Sequence, residues 1–87
     1  MLIKVKYNSN TIVFDVSKLT EVKDLNSMIQ EKLGVEEDLQ RLIFKGHSMS
    51  DENTLFDYRV NMNDIIQLWR REPLAGLRNQ EDFFFLN

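Results

Sequence analysis

The chain contains no cysteine. Disulfides and thiolate-bound metals are therefore excluded, and nothing in the composition calls for an oxidising compartment. Its single histidine, His47, leaves no paired imidazoles for a metal. The three glycines, Gly34, Gly46 and Gly76, stand too far apart for a glycine-rich phosphate loop, and no Ser/His/Asp spacing or cysteine nucleophile is present. Carboxylates are plentiful but scattered, so the sequence carries no catalytic, cofactor or metal site. No apolar run approaches the roughly 20 residues that span a bilayer. Met1 to Lys6 carries charge at alternate positions and lacks the apolar stretch of a signal peptide. The net charge of −3 withholds the basic footprint that phosphate binding needs. A non-catalytic intracellular protein with neither nucleic acid nor membrane as its direct partner is the expectation, acting as a monomer.

What is present suffices for one compact domain. With 87 residues, 43% of them hydrophobic, the core must be efficient, because a domain of this size buries only about 60% of its unfolded surface. Leu2 to Tyr7 alternates apolar and charged residues, with Ile3, Val5 and Tyr7 on one side and Leu2, Lys4 and Lys6 on the other. Asn8-Ser9-Asn10 supplies turn residues. Thr11 to Val16 resumes the alternation, with Ile12, Phe14 and Val16 together, so the opening reads as a β-hairpin. Val22, Leu25, Met28, Ile29 and Leu33 then recur at helical steps. Thr20 is the expected N-cap, Asn26 is expected outside the apolar stripe, and Gly34 stands at the stop position. Glu36-Glu37-Asp38 reads as an acidic loop, solvated or a second docking surface. Gln40 to Phe44 and Ile65 to Arg70 read as strands, Lys45 to Ser48 as a glycine-centred turn, and Thr54 to Tyr58 is too short to type by period. Met28, Met49 and Met62 are expected to fill gaps in the core. A hairpin, one helix and later strands predict an α+β sheet with the helix across one face.

Strand parity also locates a candidate surface. Leu42 and Phe44 share the core side of their strand, so Ile43 points outward. Ile66 and Leu68 share the core side of theirs, so Trp69 points outward with Ile65 and Gln67. An outward isoleucine and tryptophan on neighbouring strands form an exposed apolar patch, a common mark of protein-binding sites. Arg41, Gln67, Arg70, Lys6 and His47, with Gly46 in the adjacent turn, surround it with a basic rim suited to an acidic partner. The alternative is that Trp69 folds down and caps the core. His47 is either a pH-sensitive contact or a solvated loop residue.

Several motifs carry a family resemblance. Gln40-Arg41-Leu42-Ile43-Phe44-Lys45-Gly46, then Asp51, then Thr54-Leu55-x-Asp57-Tyr58, together with Ile29-Gln30-x-Lys32, resemble ubiquitin over residues 1–72. The resemblance implies a ubiquitin-like β-grasp with a mixed four- to five-stranded sheet and one main helix. In it Leu55 and Tyr58 lock the loop before the last strand, the tyrosine hydroxyl bonding nearby backbone. Leu19-Thr20-x-Val22-x-x-Leu25, Leu39-Gln40-Arg41-Leu42, Thr54-Leu55-Phe56-Asp57-Tyr58 and Asn63-Asp64-x-Ile66-Gln67-Leu68 are similar to the N-terminal domain of the ubiquitin-like, PHD and RING finger proteins, nuclear E3 ligases that couple histone ubiquitination to DNA methylation. Two departures stand out: Leu2 follows Met1 where that subfamily has tryptophan, and Ile43 stands where it tends to have an aromatic.

The resemblance places Ile43 on ubiquitin's patch isoleucine and Trp69 on its patch valine, while Asn8 replaces the patch leucine. His47 falls on the lysine used for ubiquitin's commonest chain. The implied role is recruitment of a ubiquitin-conjugating enzyme or another ubiquitin-pathway protein, with docking to a proteasome subunit as the alternative. A conjugated modifier is disfavoured, because Trp69-Arg70-Arg71-Glu72-Pro73 is followed by an isolated Gly76 rather than a diglycine. Residues 73–87 are expected to form a flexible tail. Its Phe83-Phe84-Phe85-Leu86 run has several open readings: a binding motif, a quality-control signal, a segment packing on the domain's own patch, or an artefact of the expressed sequence.

Overall fold

The computed structural model describes residues 1–71, so the expected tail lies outside the described residues. Its strands are β1 (Leu2–Tyr7), β2 (Asn10–Asp15), β3 (Gln40–Phe44), β4 (His47–Ser48) and β5 (Ile65–Arg70), with one α-helix, α1 (Val22–Leu33). They form a single five-stranded sheet in the order β2-β1-β5-β3-β4. β1 runs parallel to β5 and antiparallel to β2, and β3 runs antiparallel to both β5 and β4. This is the α+β architecture, with its helix against one face, that the alternating patterns predicted, and the mixed β-grasp sheet that the resemblance implied.

The hairpin closes where short polar residues permit it. Tyr7 pairs with Asn10, leaving Asn8 and Ser9 as the turn, and Asn8 takes the left-handed φ of 56° that asparagine tolerates. The β3–β4 turn is equally tight: Phe44 pairs with His47, and Lys45 and Gly46 take φ of 51° and 83°. Two consecutive positive φ values match the right-handed twist of a two-residue hairpin, and glycine at the second position removes half the steric cost.

α1 lays Val22, Leu25 and Ile29 onto the sheet, where they meet Ile3, Val5, Phe14, Leu42, Phe44, Ile66 and Leu68 in one buried cluster. Met28 and Leu33 of the expected stripe are only partly covered. Gly34 ends the helix at φ 76°, its N–H donating to the Gln30 carbonyl at 2.8 Å. The start differs from expectation. Thr20 does not cap the helix; its Oγ1 accepts the Ser17 N–H at 3.0 Å. Glu21 is the N-cap, without a side-chain cap bond. The first helical N–H groups, of Val22 and Lys23, donate instead to the carbonyls of Asn53 at 2.8 Å and Asp51 at 3.2 Å. A loop distant in sequence thus satisfies donors that a local side chain usually takes.

That loop also explains Asn26, which is buried rather than outside the stripe. Its Nδ2 donates to Asp51 Oδ1 at 3.2 Å, and its carbonyl accepts Gln40 Nε2 at 2.9 Å. Gln40 Nε2 also donates to the Val35 carbonyl at 2.9 Å, stitching β3 to the helix and its exit. The acidic 36–38 stretch is not a loop throughout: Glu37–Leu39 forms a 3-10 turn. Glu37 is held there by its N–H to Gln30 Oε1 at 2.9 Å and by Ser27 Oγ donating to its carboxylate at 3.0 Å. A second 3-10 turn covers Phe56–Tyr58, and at its start the Thr54 N–H donates to Asp57 Oδ2 at 2.8 Å while the Asp57 N–H donates to Thr54 Oγ1 at 3.2 Å. Met49 is buried and Met28 packs at the core's edge, but Met62 is exposed, because it belongs to the polar turn leading into β5 rather than to the sheet.

Candidate protein-interaction face

The core decides which side chains face water. Along β5 burial alternates, with Ile66 and Leu68 inside and Ile65, Gln67 and Trp69 on the opposite face. Along β3, Gln40, Leu42 and Phe44 are inside, and Arg41 and Ile43 are outside. Trp69 is 57% exposed, so the capping alternative does not describe it. Ile43 is half-buried. Neither side chain is sealed within the monomer.

Register sets their spacing. Arg41 stands opposite Trp69, and Ile43 opposite Gln67, so Ile43 and Trp69 are diagonal neighbours across the β3–β5 pair. Such neighbours lie about 7–8 Å apart, within reach of an indole. One shallow depression is lined by Arg41, Ile43, Trp69, Arg70 and Arg71. A second is lined by Lys6, Tyr7, Asn8, Gln67, Leu68, Trp69 and Arg70. Trp69 and Arg70 line both. Gln67 Nε2 donates to the Lys6 carbonyl at 3.0 Å, which ties this side chain to the neighbouring strand beside the exposed indole. Asn8, at the place of the missing apolar group, borders the second depression beside Trp69.

The rim is basic, as parity suggested, and gains Arg71, which the sequence reading did not single out. Arg41 Nη2 donates to Ser48 Oγ at 3.4 Å, and neither Arg41 nor Lys6 has a carboxylate among the described residues within ion-pair distance. His47 and Gly46 stand apart. His47 is exposed on the short edge strand β4 rather than in a loop, and neither residue borders either depression.

The sequence reading also missed a second apolar area on the same outer face. Val13 and Ile65 flank Lys4 in one cross-strand row. Leu2 and Met62 are likewise exposed, and Leu2's carbonyl accepts the N–H of Asn63, next to Met62. The signal was the same alternation that found Trp69, read across β2, β1 and β5 together.

The loop before β5 is held by the residues that the resemblance named. Leu55 is fully buried. Tyr58 Oη accepts the Ser50 N–H at 2.6 Å and Asn53 Nδ2 at 3.1 Å. Burial pushes the phenol's pKa up, but the bonds from Ser50 and Asn53 outweigh it and leave the group below its ordinary value. Among the described residues no helix is long and apolar enough to cross a membrane, and no cluster of three or more His, Cys, Asp or Glu is placed to hold a metal ion.

Sheet order, one helix and a locked loop before the last strand define a ubiquitin-like β-grasp. The chain belongs to the Ubiquitin family, which it matches over residues 2–73. It is similar to the E3 ubiquitin-protein ligase UHRF1 of Rattus norvegicus, at 49% identity over 63 residues covering 72% of this chain and 8% of that protein. The Bos taurus UHRF1 is 50% identical over the same shares of each chain. The E3 ubiquitin-protein ligase UHRF2 of Homo sapiens is 39% identical over 69 residues, 76% of this chain and 9% of that protein. The chain thus spans less than a tenth of the length of the curated relatives it matches.

Proposed function

We propose that this domain is a non-catalytic docking module of a nuclear RING-type E3 ubiquitin ligase, recruiting a ubiquitin-conjugating enzyme or another ubiquitin-pathway protein through the outer face of β3 and β5. The observation that carries the reading is the exposed indole of Trp69 beside Ile43 within a rim of arginines. A large aromatic that the fold leaves in water supplies the desolvation gain of an interface anchor. The cationic rim steers an acidic partner and excludes a basic one. The similarity to UHRF1 and UHRF2 supports the ligase setting and the nuclear location.

The test is the double substitution Ile43→Ala with Trp69→Ala in the ligase context. Trp69 is mostly exposed and Ile43 half-buried, so the melting transition moves little. If each is an anchor worth about 2 kcal/mol or more, binding falls at least roughly 30-fold per residue. Unchanged affinity and unchanged histone ubiquitination would sink the reading. The proteasome alternative rests on the same face. Pull-downs with conjugating enzymes against proteasome subunits separate the two. Conjugation as a modifier predicts a thioester with activating enzyme and ATP; none is expected here.

A further inference from the structure

We propose that the outer edge of β2 pairs antiparallel with the same edge of a second copy of this chain, joining two five-stranded sheets into one continuous sheet. β2 ends the strand order, so among the described residues nothing pairs with its far side. Its backbone groups can be assigned to sides. The Leu2 carbonyl accepts the Asn63 N–H and the Lys4 N–H donates to the Asp64 carbonyl, so these residues of β1 aim their backbone toward β5. Ile3, Val5 and Tyr7 therefore aim theirs toward β2, where their partners are Phe14, Ile12 and Asn10. Thr11, Val13 and Asp15 are left with N–H and C=O groups pointing outward in the plane of the sheet. Such a row is a template for another strand, and the devices that usually blunt it are missing. Asn10–Asp15 holds no proline and no lysine, and its pairing with β1 runs without a bulge. β4, at the opposite edge, is only 2 residues long and is blunted by its shortness.

The row is self-complementary, which selects a second copy as its occupant. A two-fold axis through Val13 sets Val13 opposite Val13 of the copy and Thr11 opposite Asp15 of the copy. Each of these pairs exchanges both of its hydrogen bonds. Of the registers that keep side chains on their own faces, only this one pairs Thr11, Val13 and Asp15 together. The Thr11 hydroxyl meets a carboxylate rather than a like charge, and Val13, 52% exposed, gains an apolar neighbour. On the core side, half-buried Ile12 comes opposite Phe14 of the copy. It extends the floor of the shallow groove that Phe14, Met28, Glu31 and Lys32 line. That groove carries one acid and one base, so a second copy meets no net like charge there. The axis stands perpendicular to the sheet, and β1 separates β2 from β5. Both Trp69 faces therefore look the same way and stay open, and a partner with two sites gains avidity. A strand pair this short buries less than the roughly 1,200 Å² of a standard interface, so the dimer is weak and the monomer expected from the sequence is its dilute form.

Sedimentation equilibrium of residues 1–87 from about 10 μM to about 1 mM covers the range of weak association. The average mass should rise from 10.4 kDa towards twice that value. Val13→Glu sets a carboxylate opposite Lys4 within the fold, but two carboxylates opposite each other across the two-fold. It should keep the circular dichroism of the parent and raise the dissociation constant about fivefold or more. The chain has no cysteine, so single thiols read the register. In Val13→Cys the two Cα atoms lie about 5.5 Å apart, within disulfide reach. In Thr11→Cys they are offset along the strands by about 14 Å and out of reach. In a glutathione redox buffer the disulfide-linked fraction should be about tenfold higher for Val13→Cys than for Thr11→Cys. A mass of 10.4 kDa at every concentration overturns the inference. So does association that folded Val13→Glu leaves unchanged or that Trp69→Ala abolishes, and so do equal linked fractions in the two thiol variants.

Discussion

Two glutamines in this fold do similar chemistry in different surroundings, and comparing their alanine variants tests how the helix is held to the sheet. Gln40 Nε2 donates to the carbonyls of Asn26 and Val35, both at 2.9 Å, from a side chain that is 5% exposed. Gln67 Nε2 donates to the carbonyls of Lys6 at 3.0 Å and Leu68 at 3.2 Å, from the outer face of the sheet. Each bond contributes about 0.5–1.5 kcal/mol net, and a carbonyl left buried without a partner costs about 1–3 kcal/mol more. Gln40→Ala loses two bonds, strands the Val35 carbonyl and opens a void, for about 2–4 kcal/mol in all. Gln67→Ala returns its acceptors to water and costs about 0.5 kcal/mol or less. With a urea slope of about 1 kcal/mol/M for a domain this small, the Gln40 variant's midpoint drops by about 2–4 M at unchanged slope, while the Gln67 variant stays within about 0.5 M of the parent. Equal shifts in the two variants would refute the argument that burial, rather than bond count, sets the cost.

Leu55→Ala removes a fully buried side chain and should cost about 2–5 kcal/mol, read as a lowered thermal midpoint by circular dichroism. Tyr58→Phe returns two exposed donors, those of Ser50 and Asn53, to water, and should cost about 0.5–1 kcal/mol in the same assay. Because the folded pKa of Tyr58 lies below its ordinary 10.0, the folded state binds phenolate better than phenol. That contribution is absent at neutral pH, grows as pH rises through the lowered value, and is complete above 10.0. Ultraviolet titration of the folded protein should show a phenolate step below the free-tyrosine position, which Tyr58→Phe abolishes. Gly46→Ala meets no atom within 4 Å but must hold φ near 83°. It should therefore cost about 1–2 kcal/mol without changing the fold.

Elements with a period were legible in the sequence, and contacts between distant segments were not. Alternation in 2–7, 11–16 and 65–70 and the helical repeat from Val22 gave the strands, the helix and the inner face. Residues held by loops escaped. Asn26 looks like a solvent position on the helix wheel, and only the return of Asp51 against the helix buries it. Thr20 fits every local rule for a cap, yet the Asn53 and Asp51 carbonyls arrive first. Arg71 follows the last strand and has no periodic signature. The apolar area around Val13, Ile65 and Leu2 was written in the same alternation as Trp69, but seeing it requires the β2-β1-β5 order, which no single strand reveals.

The exposure of Trp69 follows from the core. Shifting β5 by one residue against β3 would bring Trp69 and Gln67 inside and expel Ile66 and Leu68, which are 0% and 1% exposed. Re-exposing two such side chains costs about 3–6 kcal/mol, a large part of what a small domain has in total. It would also bury the Gln67 amide away from its Lys6 acceptor. No sheet register therefore hides the indole and keeps the core. Only something laid on the outer face can cover it. Substitution of Trp69 consequently leaves the core's packing in place, and a loss of binding in Trp69→Ala with an unmoved melting transition can be assigned to the face itself.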